Sequence, residues 1–224
     1  METILRIAMP AFAALWLSSC TAASLCPPTE KASDWPSACF VAGKSGERRV
    51  LPQYVKNIKL NQHGVALIVI EGPRELVAVD GDGKVVIPGI RHTGDFDYPS
   101  PPEGLGRYDV PASDGRNGGK RQCGYFDVRT FRIVVPAAFD YCESFYAGKA
   151  KVCKDCVEYC TVSECQDTIA VGGQAMLIDI HGRPLHQVVQ PSLADVCRSS
   201  GTVKVGKTTS SRPMLECTHG EFVH

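Results

Sequence analysis

The chain has 224 residues, enough for one ordinary domain or two small ones with a real hydrophobic core, so size alone does not demand covalent staples. Lys plus Arg and Asp plus Glu balance at 24 each, and the basic clusters Arg48-Arg49 and Lys120-Arg121 are two residues long. Such a neutral chain has no net field to draw in nucleic acid or an anionic membrane surface, and nucleic acid is excluded as a partner class.

Residues 1–25 carry positive charge at the amino terminus and Arg6, then an uncharged run from Ile7 to Leu17, then small residues. This is the build of a secretory signal peptide. The run is too short to span a bilayer, and it lacks the polar face of a buried amphipathic helix. Its end, Leu17-Ser18-Ser19-Cys20, resembles the lipobox of bacterial lipoproteins, which implies a signal peptide over 1–19 and lipidation of Cys20. A diacylated cysteine would hold the domain on a membrane without a spanning helix. The alternative is general signal-peptidase cleavage after Thr21-Ala22-Ala23, which discards Cys20 and leaves a soluble secreted protein. Either route exports the chain, to the periplasm or to the outer membrane and cell surface.

Residues 20–59 read as an N-terminal segment, and the main patterned region covers 60–190. There, three segments share an apolar run, an aspartate, a turn and a second apolar run: Leu76 to Pro88, Gly124 to Pro136 and Met176 to Leu185. Each reads as a β-hairpin, with Asp80, Asp127 and Asp179 at the same place, 47 and 52 residues apart. That equivalence points to a shared structural task, such as hydrogen-bonding the backbone of the following turn. Upstream of each hairpin lies a second element, beginning at Gly64, Gly104 and Gly148 and recurring after 40 and then 44 residues. Its small residues suggest strands whose backbones approach closely. A nearly constant period of this size marks a repeat architecture whose units bury their faces on one another.

The clearest unit, Cys123 to Cys153, resembles the WG repeat family. Gly124-Tyr125-Phe126-Asp127, Val135-Pro136, Phe139-Asp140 and Phe145-x-x-Gly148-x-Ala150-x-Val152 match its successive blocks, and the likeness extends over about residues 60–190. The namesake tryptophan is replaced by Cys123, and the two flanking units are more degenerate. The resemblance implies an all-β array of about three antiparallel hairpin repeats. Between hairpins, the Pro-, Gly- and Asp-rich stretches 91–106 and 111–122 read as long loops. Residues 190–198 suggest a turn or two of helix capped by Ser192, and 202–217 two strands in a C-terminal hairpin extension over 191–224.

Beyond Cys20, ten cysteines remain: Cys26, Cys39, Cys123, Cys142, Cys153, Cys156, Cys160, Cys165, Cys197 and Cys217. In an oxidising compartment an even number of thiols becomes a disulfide framework. Local closure suggests Cys26 with Cys39, Cys123 with Cys142 and Cys197 with Cys217, leaving Cys153, Cys156, Cys160 and Cys165 to pair among themselves. That quartet, spaced C-x2-C-x3-C-x4-C, has two other readings. It could ligate zinc, although zinc sites usually draw a second pair from a separate element. Or Cys153 and Cys156 could be a redox pair, which would want a βαβ setting in place of hairpins.

Other motifs carry less. Gly43-Lys44-Ser45 lacks the first glycine of a phosphate-binding loop, since residue 38 is Ala38. Asp80-Gly81-Asp82-Gly83 lacks the later acidic ligand of a calcium loop and reads as a hairpin turn. No nucleophile elbow or H-E-x-x-H pair occurs, and the six histidines show no ligand spacing. The expectation is an exported, non-enzymatic, cofactor-free binding module, presenting its repeats to a protein or envelope glycan. The alternative is a thiol-disulfide or metal-dependent protein centred on Cys153 and Cys156.

Overall fold

The structure, a computed structural model, describes residues 26, 34–43, 47–72, 74–92, 103–112, 121–198, 201–218 and 221–222. The expected signal peptide and Cys20 lie outside the described residues. Strands dominate, as β-branched and aromatic runs bounded by glycine and aspartate require. Two short 3-10 turns, Ser37–Cys39 and Pro52–Asn57, interrupt the N-terminal segment.

In that segment β1 (Asp34–Pro36) is followed by a hairpin of β2 (Phe40–Ala42) and β3 (Arg48–Val50). Then β4 (Val65–Glu71), β5 (Glu75–Asp80) and β6 (Val85–Ile87) form an antiparallel meander, and β1 adds to β4 in parallel. A second meander contains β7 (Leu105–Pro111), β8 (Arg121–Asp127) and β9 (Arg132–Phe139). The third sheet begins with β10 (Tyr141–Cys142) and β11 (Lys149–Lys154). The chain then leaves it for a hairpin of β12 (Val157–Cys160) and β13 (Thr168–Val171). It returns with β14 (Gln174–Asp179) beside β11 and β15 (Pro184–Val188) at the edge. Finally β16 (Thr202–Lys207) and β17 (Pro213–Thr218) pair antiparallel, and β17 meets β12 in parallel, giving a fourth sheet ordered β13-β12-β17-β16.

The sheets pack face to face in chain order. Consecutive strand residues point to opposite faces, and in the inner sheets both faces are covered. Val77 and Val79 of β5 pack with Trp35, Cys39 and Val50 of the N-terminal segment. Their neighbours Leu76 and Ala78 pack with Tyr108, Phe126 and Phe131 of the second meander. Tyr125 turns the other way, into a cluster with Phe145, Ala150, Val152 and Ile178 of the third sheet. Ala175 of the third sheet and Ala170 of the fourth meet around Cys153 and Cys156, and Val171, Val196 and Leu215 form the fourth sheet's own core. Two-sided burial explains why β5 reads as an unbroken apolar run.

Two expectations are corrected. Residues 190–198 hold a single turn, in which Ser192 Oγ accepts the Ala194 N–H at 3.2 Å and the Asp195 N–H reaches the Ser192 carbonyl at 3.1 Å. Too few residues separate Pro191 from the Cys197 tether for a helix to develop. Gly64, Gly104 and Gly148 are not places of close backbone approach. Each sits one residue before its strand with φ of +74°, +70° and +73°, and nothing lies within 4 Å of where a Cβ would be. Conformation, not space, calls for glycine there.

Candidate functional site

Each repeated aspartate holds its own turn. Asp80 Oδ1 accepts the N–H groups of Asp82 and Lys84 at 3.0 and 2.8 Å. Asp127 Oδ1 accepts those of Arg129 and Thr130 at 2.9 and 2.7 Å. Asp179 Oδ1 accepts those of His181 and Arg183, both at 2.9 Å, while its Oδ2 takes Arg183 Nε at 2.7 Å. These are Asx turns, in which a short side chain replaces a backbone acceptor. The Asp80-Gly81-Asp82-Gly83 stretch therefore turns its first carboxylate to backbone donors between β5 and β6.

The ten cysteines form five disulfides: Cys26–Cys39, Cys123–Cys142, Cys153–Cys156, Cys160–Cys165 and Cys197–Cys217. Cys123–Cys142 ties β8 to β10 and so links the second sheet to the third, with Cα atoms 6.1 Å apart. Cys153 and Cys156 close the turn leading from β11 into β12, and Cys160 and Cys165 close the tip between β12 and β13. All four sulfur-bearing residues of the quartet except Cys165 are buried. A bonded sulfur is not a thiolate, and the dense C-x2-C-x3-C-x4-C stretch becomes two separate local staples. Among the described residues no group of three or more His, Cys, Asp or Glu could hold a metal ion.

A polar cluster that the sequence does not announce lies where the second sheet meets the third and fourth. After β6 the chain runs antiparallel to β7: the Arg91 N–H donates to the Arg107 carbonyl at 3.0 Å, and the Asp109 N–H to the Gly89 carbonyl at 2.9 Å. Ile90 bridges Tyr108, which sets Arg91 opposite Arg107 with both side chains on one face. Like charges directly opposite each other are unfavourable. Asp109, two residues along on the same face, relieves one of them: its two carboxylate oxygens lie 3.1 and 2.9 Å from Arg91 Nε.

Arg107 has different company. Its Nη1 donates to the Cys142 carbonyl at 3.1 Å, and on its other flank it stands opposite Tyr125. The Tyr125 hydroxyl donates to the Glu143 carbonyl at 2.7 Å. The nearby carboxylates are engaged elsewhere, Glu143 with Lys151 at 2.8 Å and Glu158 with Arg212 at 3.6 Å. No carboxylate among the described residues forms an ion pair with Arg107. Burial lowers the Arg107 pKa, and Arg91 adds to the effect. Burial acts the same way on Arg91, but Asp109, joined by Glu158 and Tyr141, outweighs it and raises the value. Burial pushes the phenols of Tyr125 and Tyr141 upward.

Arg91 falls at the start of a stretch that reads as loop, and Arg107 in an element notable for its glycines. The available signal was the alternation Arg107, Tyr108, Asp109, Val110 along β7, which puts two charges on one face. Comparison of the chain with known protein families, with curated proteins and with solved structures finds no match.

Proposed function

We propose that the chain is an exported, non-enzymatic binding module of the bacterial cell envelope, built from about three WG-like β-hairpin repeats between 60 and 190. The observation that carries this reading is the disulfide framework. Five disulfides, each closing a loop of 20 residues or fewer, fix local turns and strands, and Cys123–Cys142 links two sheets, in a stack whose sheets bury their faces on one another. Such a framework belongs to an oxidising compartment and makes a rigid display scaffold. The repeat reading is supported by the three Asx turns at Asp80, Asp127 and Asp179 and by the three left-handed glycines that precede β4, β7 and β11. The signal peptide, with Cys20 as anchor, would deliver the module to the periplasmic or outer face of a membrane.

The partner is a protein or an envelope glycan. The exposed outer strands β15 and β16, with Val189 just past β15 at 94% exposure and Val205 of β16 at 60%, offer surface for it. The quartet's sulfurs support the scaffold reading over thiol chemistry, since Cys153 and Cys156 are 0% and 1% exposed and bonded to each other. The test is binding of the labelled oxidised protein to isolated cell envelopes. Saturable binding that is lost after reduction and alkylation supports the module, and its sensitivity to protease or to glycan hydrolase names the partner class. Non-saturable binding that is unchanged by reduction contradicts it.

A further inference from the structure

We propose that Arg107, with Arg91 beside it, is the cationic half of a binding site for a carboxylate carried by the partner. The proposal deepens the binding-module reading and rests on it for the identity of the partner's class.

The geometry supplies the argument. Two guanidinium groups stand on one face of adjacent antiparallel strands, and among the described residues Asp109, on Arg91, is the one carboxylate in ion-pair contact with either, with Glu158 acting on Arg91 from farther off. A guanidinium has five N–H donors. Of those on Arg107, one on Nη1 reaches the Cys142 carbonyl, a neutral acceptor. Asp109 acts on Arg107 only at a distance, and a half-buried cation with no carboxylate in contact is costly, a cost that an arriving anion offsets. Neither side chain is sealed: the Arg91 side chain is 24% exposed and Arg107 is half-buried.

A carboxylate fits better than a bare point charge, because the planar fork of a guanidinium matches its two oxygens. The site already displays that match in Asp109 against Arg91. A ligand carboxylate on Arg107 would extend the row to alternate in sign. The surrounding phenols do not compete as anions, since a phenol is already protonated at neutral pH and burial pushes Tyr125 and Tyr141 further upward. Glu143 and Glu158 are held by Lys151 and Arg212.

The experiment is NMR titration of the oxidised full chain with labelled arginine. The probes are N-acetyl-Ala-Ala for a peptide carboxylate and methyl glucuronide for a sugar carboxylate, with N-acetyl-Ala-Ala amide and methyl glucoside as neutral counterparts. The Nε–H signals of Arg107 and Arg91 should shift saturably with a carboxylate, with Kd on the order of 1 mM or tighter. They should stay still with the neutral counterparts, and the better carboxylate identifies the source. Arg107→Gln should weaken binding at least about tenfold. Equal response to the neutral counterparts, no response, or unchanged affinity in R107Q overturns the site. If R107Q does not fold, the wild-type titration decides alone. Envelope binding that survives R107Q without change sinks this site and leaves the module reading standing. Carboxylate binding without envelope binding supports the site and removes the module reading.

Discussion

Tyr125 and Phe126 are consecutive residues of β8, both completely buried, and they serve different interfaces. The Tyr125 ring meets Phe145 edge-on at 4.7 Å, toward the third sheet, while Phe126 lies 5.9 Å from Phe131 and 6.5 Å from Tyr108, toward the first. One strand thus holds two layers together. Truncation of either ring to alanine should cost about 3–5 kcal/mol in denaturant unfolding. Tyr125→Phe keeps the ring and loses the bond to the Glu143 carbonyl, so its cost should be about 1 kcal/mol.

Glycines separate into two kinds. Alanine at Gly64, Gly104 or Gly148 meets open space and only the left-handed backbone resists it, so each change should cost about 1 kcal/mol. At Gly124 an added Cβ would run into the Val135 carbonyl and lie 2.7 Å from the Ala137 nitrogen. Gly124→Ala should therefore cost more than about 2 kcal/mol, and thermal melts of the four variants give the ranking.

Acid should weaken the Asx turn at Asp127. Slight burial opposes the charge on Asp127, but the N–H groups of Thr130 and Arg129 and the Thr130 hydroxyl overcome it and hold the carboxyl below its usual range. A folded pKa below the unfolded value of about 3.9 gives stability that is complete above that pH and is lost as pH falls through the folded value. Stability measured against pH should drop on the acid side of about pH 4. Asp127→Asn should flatten that limb while leaving the neutral-pH slope unchanged.

The disulfides should differ in worth according to the loop each closes. Cys123–Cys142 spans 19 residues and bridges two sheets, so the double alanine variant should lose about 3 kcal/mol. Cys160–Cys165 spans 5 residues at a hairpin tip, and its removal should cost about 2 kcal/mol or less. Denaturant midpoints of the two double variants make the comparison.

What could be read from the sequence was local. An aspartate followed by a tight turn dictates its own hydrogen bonds, and β-branched runs between glycines dictate strands, so the turns at Asp80, Asp127 and Asp179 and the mostly β character were visible in advance. Cysteines 3, 5, 13, 19 and 20 residues apart fall within reach of one another through the hairpins themselves. What could not be read depends on distant registers. The Arg91–Arg107 juxtaposition requires a stretch without strand periodicity to lie along β7. The contact of Cys160 with Met214 requires a hairpin inserted in the third sheet to find the chain's last strands. The glycines before β4, β7 and β11 were visible as a period, but their physical reason, a left-handed turn into each strand, needed backbone angles.

The most direct test is peptide mass mapping of the protein isolated from its native compartment, alkylated before and after reduction. The ten cysteines from Cys26 to Cys217 should resist alkylation before reduction and all take it up afterwards, with linked peptides joining Cys26 to Cys39, Cys123 to Cys142, Cys153 to Cys156, Cys160 to Cys165 and Cys197 to Cys217. Alkylation of Cys153, Cys156, Cys160 or Cys165 without reduction, or stoichiometric zinc released with them, would contradict this disulfide framework.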